Sequence, residues 1–435
     1  MMDIFSLVPP FLKKADEPEY DCREGCRMLL YRSVSKEDYL NYCDTLTRSG
    51  LKRVLENEYG KVSFSAFIGN LQVNVLYSVN DEILRITACK DTPLPDFSPR
   101  PVKRDCKTTF FMFESDHTLI DCGMCLLVQC SDYSFFVVDS GHYYQFNDND
   151  RIYNFMRERT PKDKKVVISG WFITHAHSDH ISKLVDFLRY NMEDVVIEAF
   201  YSNLVSDKYA EKTWSKEERD LAEKVFTVLD NMRDIPKIKL HSGQRFWVRN
   251  LMFDVLCTHE DIYPQKLSDY NDSCAALMMT ACGTRILIPG DASALSSRIM
   301  EERYGELLHC DIAQVAHHGH HGLSKRFYEL ARAKVALFPV TQIKFDEELP
   351  RIDANRRILE IAREYYISSN GTVEIPLPYK EGTIKKLPDE SFEDFNKIKG
   401  LWGYDYTDER KKQLLDLFKS NGGDFEKLFL PVSDI

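Results

Sequence analysis

In mid-chain, His175-Ala176-His177-Ser178-Asp179-His180 places three imidazoles and a carboxylate within six residues. Neutral imidazole is a good ligand for zinc and related divalent ions, and a carboxylate adds the negative charge that a second ion would need. The apolar run Val166-Val167-Ile168-Ser169-Gly170-Trp171-Phe172-Ile173-Thr174 ahead of it reads as a buried strand, and Ile181 to Leu188 behind it carries apolar residues at helical spacing. The spacing therefore predicts a strand-to-helix loop, where α/β folds usually build their sites. Ser178-Asp179 before an apolar run is also a helix N-cap signal. Capping alone has no use for three histidines at these positions.

Other segments share this strand-then-ligand form. Phe135-Phe136-Val137-Val138 leads into Asp139-Ser140-Gly141, Ile286-Leu287-Ile288-Pro289 into Gly290-Asp291, and Ile312-Ala313-Gln314-Val315-Ala316 into His317-His318-Gly319. With His-x-His-x-Asp-His, this order resembles the metallo-β-lactamase-fold hydrolases over roughly residues 105 to 380. Asn271-Asp272-Ser273 ahead of an apolar run, with Gly290-Asp291-Ala292 and His317-His318-Gly319 after it, is similar to one subgroup. That subgroup holds the hydrolase-like domain of the bacterial DNA-uptake channel protein and the phosphorylcholine esterases.

The resemblance implies an αββα sandwich and two divalent metal ions, Zn²⁺ first, with Mn²⁺ or Fe²⁺ as alternatives. It implies that His175 and His177 hold one ion, that Asp179, His180 and a late histidine hold the other, and that Asp291 bridges them. Two ions so placed lower the pKa of a shared water, and the resulting metal-bound hydroxide attacks phosphorus or a carbonyl carbon. The leading substrate is a phosphodiester or phosphoester. Hydrolysis of a carboxylic ester, lactone or thioester is the alternative, and a non-catalytic binding or regulatory module on the same fold is a third reading.

Neighbouring side chains on an extended segment point opposite ways. His317 and His318 are therefore not expected to share one ion; His318 is the favoured ligand, and His317 is then expected to face the substrate, where it stabilises charge or protonates the leaving oxygen. Asp179 and His317 are the candidate catalytic residues. His259, after the strand ending at Leu256-Cys257, is the candidate third ligand of the first ion, and Asp139 is expected to orient a ligand histidine from behind. Asn271 and Ser273 either position a loop near the metals or serve a turn. His320 and His321 are expected on an exposed loop, where one of them could line the pocket.

The chain has 435 residues, is 43% hydrophobic and carries a formal charge of −11. That is enough for one large domain with additions, and the negative balance gives no strong nucleic-acid signal. Arg157, Arg159, Lys162, Lys164 and Lys165 form a basic run that reads as a solvated loop. No apolar stretch approaches the ~18 residues of a membrane helix. The start, Met1 to Pro10, lacks a basic region and is broken by Asp3 and prolines, so no signal peptide is read and a cytoplasmic setting is expected. The twelve cysteines are then expected as reduced thiols, with Cys122-x-x-Cys125 packed in the core and Cys22-x-x-x-Cys26 weak as a metal motif.

The chain divides into three. Residues 1–100 are expected to form a small α+β domain, with a helix over Lys36 to Leu55 and strands at Lys61–Ile68, Leu71–Tyr77 and Ile83–Ala88. A linker with four prolines between Thr92 and Pro101 follows. Residues 105–380 are the expected catalytic domain, including a helix over Ser215 to Met232 and strands at Arg245–Val248 and Leu251–Leu256. From 385 to 435 a charged helical extension is expected, with Leu414, Leu415, Leu417 and Phe418 as a partly apolar face. That face, or the N-terminal domain, is the expected place for any homo-oligomer contact.

Overall fold

The computed structural model of the protein describes residues 4–388, apart from 91, 118, 119, 146, 211–215 and 348, together with residue 416. The expected C-terminal helix and its apolar face lie outside the described residues.

Two sheets form the centre. One runs Lys237–Lys239, Phe200–Ser202, Val166–Ile173, Phe135–Val138, Leu126–Gln129, Thr109–Met112, Val373–Pro376 and Lys385–Lys386, with Val195–Ile197 also paired to Val166–Ile173. The other runs Arg245–Val248, Leu251–Cys257, Ala276–Ala281, Thr284–Ile288, Ile312–Gln314, Val335–Phe338 and Glu364–Ile367. Alternate side chains of a strand point to opposite faces, and each sheet is covered on both. In the first, Phe136 and Val138 point inward to meet Phe253, Val255, Leu277 and Ile288 of the second sheet. Phe135 and Val137 point outward, onto the helices Asp148–Glu158, Ser178–Tyr190 and Lys216–Asn231. In the second sheet, Ile286 and Ile288 face inward while Leu287 packs against Met300, Phe327 and Ile358 from the helices Ala294–Tyr304, Lys325–Ala331 and Asp353–Ile361. The result is a helix, sheet, sheet, helix sandwich of the α/β class. Burial on both faces explains why these strands read as continuous apolar runs.

A separate antiparallel sheet of six strands is built from residues 20–89, in the order Tyr20–Asp21, Cys26–Tyr31, Ile83–Cys89, Gln72–Ser78, Val62–Ile68 and Lys52–Tyr59. The helix Lys36–Arg48 starts at a Ser35–Asp38 capping box and covers one face through Tyr39, Tyr42 and Leu46. It ends earlier than the periodicity predicts, because Gly50 adopts φ 97° and Lys52–Tyr59 turns back as a strand. The other face, through Leu55, Val62, Phe64 and Leu76, packs on Met300 and Tyr304 of the sandwich. Buried Arg85 reaches across to donate to the Glu260 and Asp261 carbonyls.

Cys26 and Cys89 stand opposite each other in the strand register and are joined by a disulfide; the other ten cysteines are free. This corrects the expectation of reduced thiols throughout: the register of neighbouring strands brings the two sulfurs together. Among the described residues no helix is long and apolar enough to cross a membrane.

Candidate metal centre

The ligand-type residues sit just beyond strand ends, on one edge of the sandwich. Val166–Ile173 runs parallel to Phe135–Val138, and Thr284–Ile288 runs parallel to Ile312–Gln314. Their C-terminal ends therefore deliver Asp139, His175, Asp291 and His317 to a common edge, the usual place for sites in open α/β sheets. The helix after the hexapeptide is capped at His177, one residue before the expected cap, with Ser178 and Asp179 in its first turn. Gly290 has φ 55°, and a Cβ there would stand 2.6 Å from the Cys274 sulfur, so only glycine lets the loop carrying Asp291 close in.

Four side chains converge. Asp179, His180, Asp291 and His318 each offer a ligand-type atom within 4.8 Å of the others. His318 Nε2 lies 2.9 Å from Asp179 Oδ2 and 3.4 Å from Asp291 Oδ2, and His180 Nε2 lies 3.3 Å from Asp291 Oδ1. Both rings are held from behind. His180 Nδ1–H donates to Asp139 Oδ2 at 2.7 Å, and His318 Nδ1–H donates to the Pro339 carbonyl at 2.7 Å. Each neutral ring then turns its Nε2 lone pair inward, and the two Nε2 atoms are 3.1 Å apart. Facing lone pairs with two carboxylates around them are stable only with a proton or a cation between them. Asp291 Oδ1 is also buried without a hydrogen bond among the described residues. The donor set thus fits a divalent ion of the zinc, manganese or iron type.

His175 and His177 lie alongside, with His175 Nε2 3.0 Å from His177 Nδ1. The His175 tautomer is fixed by relay: the Thr174 hydroxyl donates to Asp139 Oδ2 at 2.7 Å and accepts from His175 Nδ1–H at 3.0 Å. The His175 Nε2 lone pair is left free to face His177. Asp139 therefore aligns two histidines at once.

The electrostatics describe a centre that holds positive charge. Burial alone would raise the Asp179 and Asp291 carboxyls, yet His180 and His318 hold both well below the ordinary range. Burial would lower the two imidazoles, but the surrounding carboxylates, Asp291 first, lift His180 well up and His318 to about 10. His175 is pushed well down by burial and by the neighbouring His180 and His177, which keeps it a neutral donor.

Asp179, Asp291 and His318 of the cluster line a cavity of about 470 Å³, together with Cys122, His142, Glu218, His317, His320, His321 and Lys344. His317 and His318 diverge as expected, although not on an extended segment: both adopt left-handed backbone, with φ 53° and 55°. His317 Nδ1–H donates to the His321 carbonyl at 2.9 Å, and its Nε2 accepts from Asn271 Nδ2 at 3.2 Å. Asn271 thus serves both a turn and the site, whereas Ser273 bonds within the turn to the Tyr270 carbonyl. His320 and His321 both line the cavity, His320 half-buried and His321 exposed.

His259 is placed elsewhere, which corrects its expected role as third ligand of the first ion. Thr258 caps a short helical turn, and this carries the ring away from the cavity. Its Nδ1 accepts from the Tyr20 hydroxyl at 2.9 Å, and its Nε2–H donates to Asn203 Oδ1 at 2.8 Å, so both nitrogens are used. Cys122 is the second correction. Cys125 is in the core as expected, but Cys122 lines the cavity, where burial and the Asp179 charge push its thiol far up. Glu218, which accepts from Ser178 Oγ at 3.1 Å, and Lys344, 3.7 Å from Asp121, carry no sequence signal beyond ordinary helix charges.

No family model matches the chain, and no curated protein matches it. Among solved structures it is similar to the metallo-β-lactamase fold protein YhfI from Bacillus subtilis, at 12% identity over 60% of this chain and 96% of that one, with a TM-score of 0.35. Unliganded yeast PDE1 is similar at 11% identity over 62% of this chain and 100% of that one, with a TM-score of 0.38. The diiron β-hydroxylase CmlA from Streptomyces venezuelae is similar at 11% identity over 64% of this chain and 55% of that one, with a TM-score of 0.36.

Proposed function

We propose that this chain is a metal-dependent phosphoester hydrolase, a phosphodiesterase first, working in the cytoplasm with two divalent ions, zinc being the leading candidate. The observation that supports this most is the convergence of Asp179, His180, Asp291 and His318 at the cavity, with both imidazole lone pairs turned inward. In this reading His175 and His177 would hold one ion, Asp179, His180 and His318 the other, and Asp291 would serve both. When bound, such a pair supplies Lewis acidity toward a phosphoryl oxygen and toward an attacking water.

The chain's own residues supply the rest. Asp139, Thr174 and the Pro339 carbonyl keep the histidine lone pairs aimed, which removes reorganisation from the reaction. Lys344 brings positive charge, and His320 and His321 bring ring nitrogens for hydrogen bonding, to the wall of the cavity that an anionic ester would enter. His317, oriented through its Nδ1–H by the His321 carbonyl, is the candidate proton donor to the departing oxygen. The polar, histidine-rich wall favours a phosphoester over an apolar carboxylic ester.

Purified protein is analysed for metals, then offered chromogenic phosphodiester, phosphomonoester, lactone and thioester substrates with Zn²⁺, Mn²⁺ and Fe²⁺. Two equivalents of metal and turnover of the phosphodiester are expected, and Asp291→Ala loses most of both. Turnover confined to lactone or thioester overturns the substrate class. Metal-loaded protein inert to all four overturns the hydrolase reading.

A further inference from the structure

Away from the cavity, a second cluster gathers residues from distant parts of the chain. Cys26, Cys89 and His241 are buried, and each offers a ligand-type atom within 4.8 Å of the other two. Cys22 is likewise fully buried and belongs to the same cluster as the two cysteines, with its sulfur just outside that mutually close group. Cys22 and Cys26 flank the tight turn between the first two strands, Cys89 ends the strand beside them, and His241 comes from the sandwich. Cys89 Sγ is 3.6 Å from His241 Nε2.

The histidine is oriented for binding. Its Nδ1–H points at the Glu260 carboxylate, 3.0 and 3.1 Å from the two oxygens, so the lone pair lies at Nε2 on the sulfur side. A carboxylate behind the ring is the usual way a protein fixes a ligand histidine. Charge gives an independent indication. The Lys239 side chain is fully buried, its ammonium makes no hydrogen bond among the described residues, and its ion pair to Glu24 is long at 3.7 Å. Its charge also acts on the Glu260 carboxylate behind His241. A buried cation is costly unless countered, and a thiolate-rich centre would add to that counter-charge.

We propose that in the reduced protein Cys26, Cys89 and His241, with Cys22 as the fourth donor, form a structural zinc site that ties the N-terminal sheet to the sandwich. Three cysteines and a histidine make a closed tetrahedral donor set, and Cys22-x-x-x-Cys26 has the short spacing of such sites. The Cys26–Cys89 disulfide must first open: a thiol reductant supplies two electrons and two protons, giving two thiols. Zinc then displaces the thiol protons to solvent. None of these residues lines the cavity, so the proposal stands apart from the hydrolase reading.

The test uses cobalt(II) added to the full reduced chain after anaerobic removal of the reductant. A thiolate-to-cobalt charge-transfer band in the near ultraviolet is expected at one equivalent. It persists in Asp291→Ala, disappears in Cys26→Ser/Cys89→Ser, and changes in position or strength in Cys22→Ser. His241→Ala is expected to weaken cobalt binding at this site by at least about tenfold. No band in folded, reduced wild type, or a band that survives Cys26→Ser/Cys89→Ser, overturns the site. An unchanged band in Cys22→Ser removes the fourth donor. Should the double variant fail to fold, melting of reduced Asp291→Ala with and without zinc decides: zinc is expected to raise Tm, and an unchanged Tm overturns the site.

Discussion

Replacing Asp139 with Asn asks whether one carboxylate sets the tautomer of a ligand histidine. Asn is the right probe, since Asp139 has φ 55°, a region that Asn occupies with little strain. The carboxylate accepts from Thr174 N at 2.8 Å, from the Thr174 hydroxyl at 2.7 Å and from His180 Nδ1–H at 2.7 Å. An amide keeps the oxygen for Thr174 N but turns an NH₂ toward the other two. His180 must then carry its proton at Nε2, inside the cluster, where its lone pair is needed. A hydrogen bond to a charged partner contributes about 1.5–3 kcal/mol. Loss of such a partner behind a ligand histidine lowers metal affinity about 10–100-fold, equivalent to about 1.4–2.7 kcal/mol, so the two figures agree. Competition against a chromophoric chelator at neutral pH, on protein shown to be folded by circular dichroism, measures the change. An affinity within about twofold of wild type would refute the tautomer argument.

Burial raises the Asp148 carboxyl to about 6, from an ordinary 3.8, against the pull of Arg151. Its contribution to stability is present below about 3.8 and is lost as pH rises through about 6, a change of about 3 kcal/mol. Asp148→Asn should therefore gain in Tm relative to wild type as pH rises from about 4 to about 6 and level off above that, and a gap that stays flat between pH 4 and 6 contradicts this. Gly290→Ala is expected to cost about 1–3 kcal/mol and to lower metal content, because the new Cβ meets Cys274 and Thr174; wild-type melting and metal content would show that the loop tolerates it. Asp261→Ala leaves Arg303, 2.7 Å away, and Arg85, 3.9 Å away, buried without their carboxylate. A loss of about 3–5 kcal/mol in denaturant unfolding is expected.

The layered core was readable because burial on both faces writes long apolar runs, and the loops of the candidate centre were readable because each follows such a run at once. Asp139, Asp291 and His318 could be picked out by that rule. The same rule failed at His259, which also follows a strand: the Thr258 cap is local, but Tyr20 and Asn203, which take up its nitrogens, come from 239 and 56 residues away. Cys122 looked like its neighbour Cys125, and only the course of the chain after Asp121 separates cavity from core. Glu218 and Lys344 are single charges on helices, a pattern shared by most surface residues. The Cys26–Cys89–His241 cluster joins strands across separations that no local spacing records.

The Arg85–Asp261–Arg303 contact also bears on how the chain can be cut. The N-terminal six-stranded sheet covers Leu256, Met300 and Tyr304 of the sandwich with Leu55, Phe64 and Leu76. A fragment starting after the proline-rich segment would bare that apolar surface and strand Asp261 and Arg303 without Arg85. Such a fragment should aggregate when expressed alone, so any minimal active unit has to begin before the N-terminal six-stranded sheet, at a point the cavity itself gives no reason to choose.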